Sequence, residues 1–528
     1  MTGPPSPEAL YHAISQAPDS ANISQTNLAA EEVEDEQLDL PTDPPALIVD
    51  HSVKLIHFIL GCSVLLPWNV MITATPFFLS RVTGSPFQAA FGSYLSTSFT
   101  LSNFTFLAHA TATAKQVSPS RQTRWTILLI AVLTLLLTLS TYVVVHPSLF
   151  FTFVILNGAI QAAAGSYLQT SVIAVASLFG PQAVQAMMFG QGAVAVAVSG
   201  VQVLSAAGSV WGVPADSIST WVTDGKAEER SAFIFFGLST VYLVMSAVAH
   251  HSLTKLPAYK TIAAPLEQHN VKGDSLADVD ANADERRVLV SAGRKDSESW
   301  DEQKARLFRV ARGNVIYEIA VSCVFMVTLS VFPPITTSIR PVNPGFHPLL
   351  FSAVHFLVFN IGDFLGRYLC AFPSLLIWSG RRLLTLSLSR TLFIPLFLMC
   401  NIQRLDPVPA PIHPLSPVSS LVRAAITTTS ISLPGPIINS DFLFMALLCL
   451  FGVSNGYVSS LCMMSVASIE HNPFLRNRQI TAGAKKARED VDVSATVASF
   501  CLVGGLVIGS AASFAVRAAV CDCNPFIA

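Results

Sequence analysis

The chain has 528 residues, of which 52% are hydrophobic and only 12% charged, with a formal net charge of -2. Soluble domains are about a quarter charged. A chain this long with half that share cannot clothe a water-facing surface, and its natural solvent is a bilayer, where a spanning helix takes roughly 20 mostly apolar residues. The even charge balance also excludes the concentrated basic face that a nucleic-acid partner requires.

Residues 1–50 are rich in Pro and Ser, with acids clustered at Glu31, Glu32, Glu34, Asp35 and Glu36. Such a composition buries no core, so a disordered cytoplasmic tail is expected, with no signal peptide ahead of the first apolar run. Eleven apolar segments follow, at about 55–80, 88–113, 125–146, 148–178, 183–209, 231–251, 307–332, 346–375, 382–402, 440–469 and 492–519, each long enough to span. Residues 252–306 are charged and lack sustained apolar periodicity, and are expected to form a largely disordered cytoplasmic loop. A second polar stretch, 403–438, is rich in Pro, Ser and Thr. The expected fold is therefore an all-α polytopic membrane protein of 11 transmembrane helices. A six-helix bundle (51–251) and a five-helix bundle (307–520) precede a short tail (521–528), an organisation that places a solute path between the halves. Lys and Arg orient it: with the N-terminus cytoplasmic, the inner side carries about 21 of them and the outer side about seven.

Seven of the nine cysteines (Cys62, Cys323, Cys370, Cys400, Cys449, Cys462 and Cys501) fall inside apolar runs and are expected to be buried free thiols. Cys521 and Cys523 follow the last run, as tail thiols or a disulfide.

Polar groups inside the apolar segments are the informative ones, because an ionisable side chain there costs at least ~2.5 kcal/mol. Segment eight reads Phe359-Asn360-Ile361-Gly362-Asp363-Phe364-Leu365-Gly366-Arg367. Asp363 and Arg367 are one helical turn apart and can pair, with Asn360 on the same face. Gly362 and Gly366 have the spacing that lets a second helix approach closely. Such a patch either locks helices together or lines a cavity that hydrogen-bonds a polar solute, and it can do both. Segment four carries Asn157, Gln161 and Gln169, and segment five Gly190-Gln191-Gly192 and Gln202. Side-chain amides offer donor and acceptor together, which suits a neutral heterocycle better than an ion. Segment one carries Leu65-Leu66-Pro67-Trp68-Asn69 and then Ile72-Thr73-Ala74, where Pro67 frees a backbone carbonyl and Trp68 offers an aromatic face. Segment ten contains Ser454-Asn455-Gly456-Tyr457, and segment seven ends at Phe332-Pro333-Pro334, a terminator suited to a hinge. No Walker A loop, metal-ligand pair or nucleophile elbow is present in the sequence. Neither ATP-driven pumping nor enzyme chemistry is therefore expected, and no cofactor or metal.

These motifs, in this order, resemble the equilibrative nucleoside transporter family. Leu65-Leu66-Pro67-Trp68-Asn69 with Thr73-Ala74 is similar to its first-helix motif, and Gly190-Gln191-Gly192 to its fifth. Phe332-Pro333 is similar to the end of its seventh helix, Phe359-Asn360, Asp363 and Gly366-Arg367 to its eighth, and Ser454-Asn455-Gly456-Tyr457 to its tenth. The resemblance implies a major-facilitator-like bundle working by alternating access, a nucleoside substrate and in some cases a nucleobase. It implies that Leu65, Trp68 and Ile72 line the cavity, that Gln169 contacts the base, and that Asp363 and Arg367, with Asn360 beside them, hold the ribose. Pro67, Asn69, Gly190, Gln191, Phe332, Pro333, Gly366, Asn455 and Tyr457 are then structural or gating positions. Departures are Ile72, where methionine is common, Ser468-Ile469, where proline is frequent, and a longer 403–438 loop. The expected partners are a nucleoside, the lipid bilayer and, for a proton-coupled carrier, protons, with Asp363 and Glu470 the carboxylates to test. A monomer in the plasma membrane or a vacuolar or lysosomal membrane is expected. A carrier of sugars or amines, or a non-transporting receptor or scaffold, are the rival readings.

Overall fold

A computed structural model describes residues 50–88, 91–114, 117–210, 226–265, 285–333, 335–336, 339–343, 345–401 and 437–521. The acidic tail before residue 50, almost all of the 403–438 stretch and Cys523 lie outside them. Every described long element is helical, and the apolar segments of the sequence fall on helices, the first and ninth on more than one. In chain order these are α1 (His51–Thr73), α2 (Thr75–Arg81), α3 (Phe91–Ala112), α4 (Pro119–Ser140), α5 (Pro147–Leu178), α6 (Pro181–Val210), α7 (Lys226–Lys255) and α8 (Pro257–Ile262). Then come α9 (Glu285–Val331), α10 (Pro348–Leu369), α11 (Gly380–Ser389), α12 (Phe393–Leu398), α13 (Asp441–Val466), α14 (Pro473–Ala482) and α15 (Ala484–Cys521).

The starts are written in the sequence. Proline, whose missing N–H costs nothing in the first turn, opens α4, α5, α6 and α14. Ser118 caps α4 by accepting from the Arg121 N–H, and Asn472 caps α14 by accepting from the Phe474 N–H at 3.0 Å. Pro67 does not end α1, which runs on to Thr73 before α2 restarts at Thr75.

Eight helices are, among the described residues, long and apolar enough to cross a membrane. The three remaining apolar segments are those most interrupted by polar groups or breaks. The helix α3 is studded with Ser and Thr, α10 carries Asp363 and Arg367, and the ninth segment is split into α11, a 3-10 turn and α12. Of the stretch 252–306, residues 266–284 lie outside the described ones. Its described parts are helical, as the end of α7, as α8, and as the first turns of α9 from Glu285. Charge does not oppose a helix when its side chains can reach water or pair along it, as Lys304 and Asp301 do at 4.0 Å.

Helix α1 packs on α6 and α7, α3 on α5, and α4 on α5 and α7; in the C-terminal half α9 packs on α15 and α11, and α10 on α13. The two groups meet along two seams, α6 against α10 and α13, and α15 against α3 and α5. Glycine sets the closest approaches. A Cβ at Gly362 or Gly366 would land on the Cys449 or Val453 carbonyl of α13, and one at Gly190 on the Phe58 carbonyl of α1. Rings fill one cluster around Phe77, Phe78, Phe150 and Phe236, and another around Phe332, Phe359, Phe397 and Phe451. The outer faces are the reverse of a soluble protein: Leu128, Leu129, Leu238 and Val248 are exposed while Asp363, Arg367 and Arg390 are buried. Apolar surface on that scale is stable only against lipid. At one end of the C-terminal half, Asp490 draws in Arg478 at 3.0 Å, Arg309 at 3.8 Å and Arg306 at 3.9 Å. The cysteines expected inside the apolar runs are free and buried or half-buried.

Candidate functional site

The helix spacing brings Asp363 and Arg367 together as expected: Arg367 Nε donates to Asp363 Oδ2 at 2.7 Å, with the two residues 4% and 5% exposed respectively. Burying such a pair is costly unless each remaining polar atom is satisfied. Here Asn455 of α13 donates to Asp363 Oδ1 at 2.7 Å, and Arg367 Nη1 donates to the Met188 carbonyl of α6 at 3.0 Å. Gln185 of α6 in turn donates to the Arg367 carbonyl at 3.2 Å. The pair therefore bridges both halves of the molecule. Among the described residues Arg367 Nη2 makes no hydrogen bond, which leaves the two N–H groups of that nitrogen for a ligand.

The network continues into side chains that the sequence motifs do not mark. Thr328 of α9 donates to Asn455 Oδ1 at 2.7 Å. Arg390, in the 3-10 turn between α11 and α12, donates from Nη2 to Thr328 Oγ1 and from Nε to Ser454 Oγ, each at 2.9 Å. It also donates to the Val324 carbonyl and lies 4.7 Å over the Phe451 ring. At 1% exposure it is among the largest fully buried side chains. Two guanidinium groups are thus tied to Asp363, one directly and one through Asn455 and Thr328. Sequence reasoning missed Arg390, although a lone arginine in the middle of an apolar run was signal enough. Glu318 of α9 was missed in the same way. It is buried, and among the described residues its Oε1 has no hydrogen-bond partner.

The other expected residues are placed as follows. Asn360 points its amide at the Ala195 carbonyl of α6 at a long 3.4 Å, and Gly192 lies where a Cβ would be 3.0 Å from Arg367 Cδ. The first is a weak contact; the second explains why the arginine needs a small neighbour. Gln169 of α5 donates to Ser499 of α15 at 2.7 Å, across the other seam. Trp68 packs on Phe99 of α3 with ring centroids 4.6 Å apart. Leu65 and Trp68 are half-buried, and Ile72 is 41% exposed. No hydrogen bond among the described residues joins Gln169 or Trp68 to the Asp363–Arg367 pair. Asn69 donates back to the Leu65 carbonyl at 2.9 Å, so its amide serves its own helix. Asn157 and Gln161 bond each other at 2.7 Å, and Asn157 also donates to the Leu133 carbonyl at 3.1 Å, which ties α5 to α4. Gln191 is buried on α6 beside Gly190, whose backbone rests against α1. Phe332 stacks on Phe359 at 4.1 Å, just before a cis peptide to Pro333. The Tyr457 hydroxyl donates to the Leu375 carbonyl beyond α10.

The profile of the nucleoside transporter family, described as "Nucleoside transporter", matches residues 154–414. Equilibrative nucleoside transporter 1 of Rattus norvegicus is 24% identical, over 89% of this chain and 97% of that protein. Equilibrative nucleoside transporter 2 of Homo sapiens is 27% identical over the same shares. Among solved structures, an E. coli fucose:proton symporter aligns with a TM-score of 0.47 at 15% identity, over 89% of this chain and 94% of that one. The apolar helices and the family match define an integral membrane protein of the transporter class. Within that class the chain is similar to the equilibrative nucleoside transporters along 89% of its length.

Proposed function

We propose that the protein moves nucleosides, and nucleobases, across a membrane by alternating access, as a bundle of eleven spans in a major-facilitator-like 6+5 arrangement. The reading rests above all on the Asp363–Arg367 pair, buried between the halves with the N–H donors of Arg367 Nη2 unspent. A ribose presents vicinal hydroxyls that both donate and accept. The Asp363 oxygens each keep a lone pair to accept from one, and Arg367 donates to another. Gln169 reads the edge of the base, and Leu65, Trp68 and Ile72 supply the apolar wall against its ring. Because Arg367 also holds α6, a bound solute competes with or reinforces a contact between the halves. Binding is thereby coupled to their rocking.

The N-terminus is placed in the cytoplasm by the Lys/Arg bias, and the rest of the topology follows from eleven crossings. The test is uptake by Arg367→Ala. Losing one partner from a buried hydrogen-bonding site costs ~1–3 kcal/mol, roughly 5- to 150-fold in affinity. Uptake of adenosine and uridine is expected to collapse while folded protein persists. Normal kinetics from well-expressed Arg367→Ala would sink the assignment. Competition by adenosine but not by a hexose separates this reading from a sugar carrier.

A further inference from the structure

Away from the buried pair, the start of α4 and the end of α7 flank an open surface cleft of about 210 Å³. Its wall includes Arg121, Arg124, His250, His251, Ser120 and Thr254, and no acidic side chain lines it. Among the described residues neither arginine has an ion-pair partner, so two full positive charges face the space without compensation. His250 is 2% exposed. Its Nε2–H donates to the Ser120 carbonyl at 3.1 Å, which ties the end of α7 to the start of α4 beneath the two arginines. Two guanidinium forks side by side match phosphate oxygens, which accept several charge-assisted bonds at once.

The surroundings say where such a phosphate sits. Trp125, next to Arg124, is 59% exposed, as an aromatic at a headgroup boundary would be. Beyond it the outer faces of α4 (Leu128, Leu129, Val132) and α7 (Met245, Val248) are exposed and apolar. A ligand with its phosphate in the cleft would have its hydrocarbon along these faces. In the orientation proposed above, the cleft lies at the cytoplasmic leaflet, where anionic lipids concentrate.

We propose that the cleft between α4 and α7 is a binding site for a phosphate-bearing anion, with the phosphorylated headgroup of an anionic lipid as its occupant. The site is separate from the Asp363–Arg367 network, so its occupancy does not depend on what the protein transports.

The experiment uses the full-length protein in nanodiscs of phosphatidylcholine, with and without phosphatidylinositol 4-phosphate. Retained lipid is counted by mass spectrometry after transfer to detergent. Wild-type protein is expected to retain the phosphoinositide over phosphatidylcholine, and Arg121→Gln/Arg124→Gln to lose that retention about tenfold or more. The variant should keep its melting temperature in phosphatidylcholine alone. Lys485→Gln/Lys486→Gln removes two exposed charges elsewhere, so it should retain lipid as the wild type does. A second arm adds soluble inositol 1,4-bisphosphate to the phosphatidylcholine discs and follows thermal stability. Stabilisation there without lipid enrichment keeps the phosphate site and makes its source a soluble ester. Equal retention by wild type and the arginine variant, equal loss in the lysine control, or no response in either arm overturns the proposal.

Discussion

Asp363→Asn changes one atom and is the sharpest perturbation of the buried network. The carboxylate accepts from Arg367 through Oδ2 and from Asn455 through Oδ1, each at 2.7 Å. An amide has one accepting and one donating end, so whichever way Asn sits, one contact becomes donor against donor. Asn455 cannot turn its own amide to compensate without losing Thr328, which donates to its Oδ1 at 2.7 Å. The substitution also strips the counter-charge from Arg367, which is 4% exposed. Breaking a buried pair from one side costs about 3–5 kcal/mol, a drop of roughly 3–5 °C in melting temperature for a chain of this length. The assay is thermal unfolding of the purified protein in detergent. The double variant Asp363→Asn/Arg367→Gln removes both charges and should recover more than half of the lost stability, while uptake stays lost. A single variant melting within about 2 °C of wild type, or a double variant no better than the sum of its parts, would refute a coupled charge pair.

Arg390→Ala should lower the melting temperature at least as far, because it removes the donors to Thr328, Ser454 and Val324 and the contact with the Phe451 ring; the exposed Arg382→Ala should barely move it. Gly366→Leu drives a side chain into the Val453 carbonyl and should abolish folded protein on size-exclusion chromatography. Gly92→Ala, with open space around it, should be silent in the same measurement. Gln169→Ala gives up one hydrogen bond to Ser499, worth about 0.5–1.5 kcal/mol. It is expected to raise the KM for uptake while shifting the melting temperature by only about 1 °C.

Much of this was legible in the sequence because a bilayer imposes simple rules. Long apolar runs become helices, proline marks their starts, and small residues mark where they touch, as at Gly362 and Gly366. The Asp363–Arg367 pair follows from helical spacing alone. What lies across from a residue was not legible. Nothing in the chain order says that Asn455 would reach Asp363, that Met188 would present its carbonyl to Arg367, or that Arg390 would close the network from a broken helix. Those depend on how helices far apart in sequence pack. The helical start of α9 was missed for a different reason: the reading equated charge with disorder, whereas a charged helix needs only water or a pairing partner. Trp68 and Gln169 sit against Phe99 and Ser499, contacts that no local pattern could foretell.

The most direct measurement is uptake of radiolabelled adenosine and uridine into proteoliposomes containing the purified protein, with and without an imposed pH gradient. Saturable uptake is predicted, lost in Arg367→Ala; uptake without a gradient marks a facilitative carrier, and uptake that requires inward acid marks a proton-coupled one. No uptake of either nucleoside under either condition, from protein shown to be folded, would contradict the assignment.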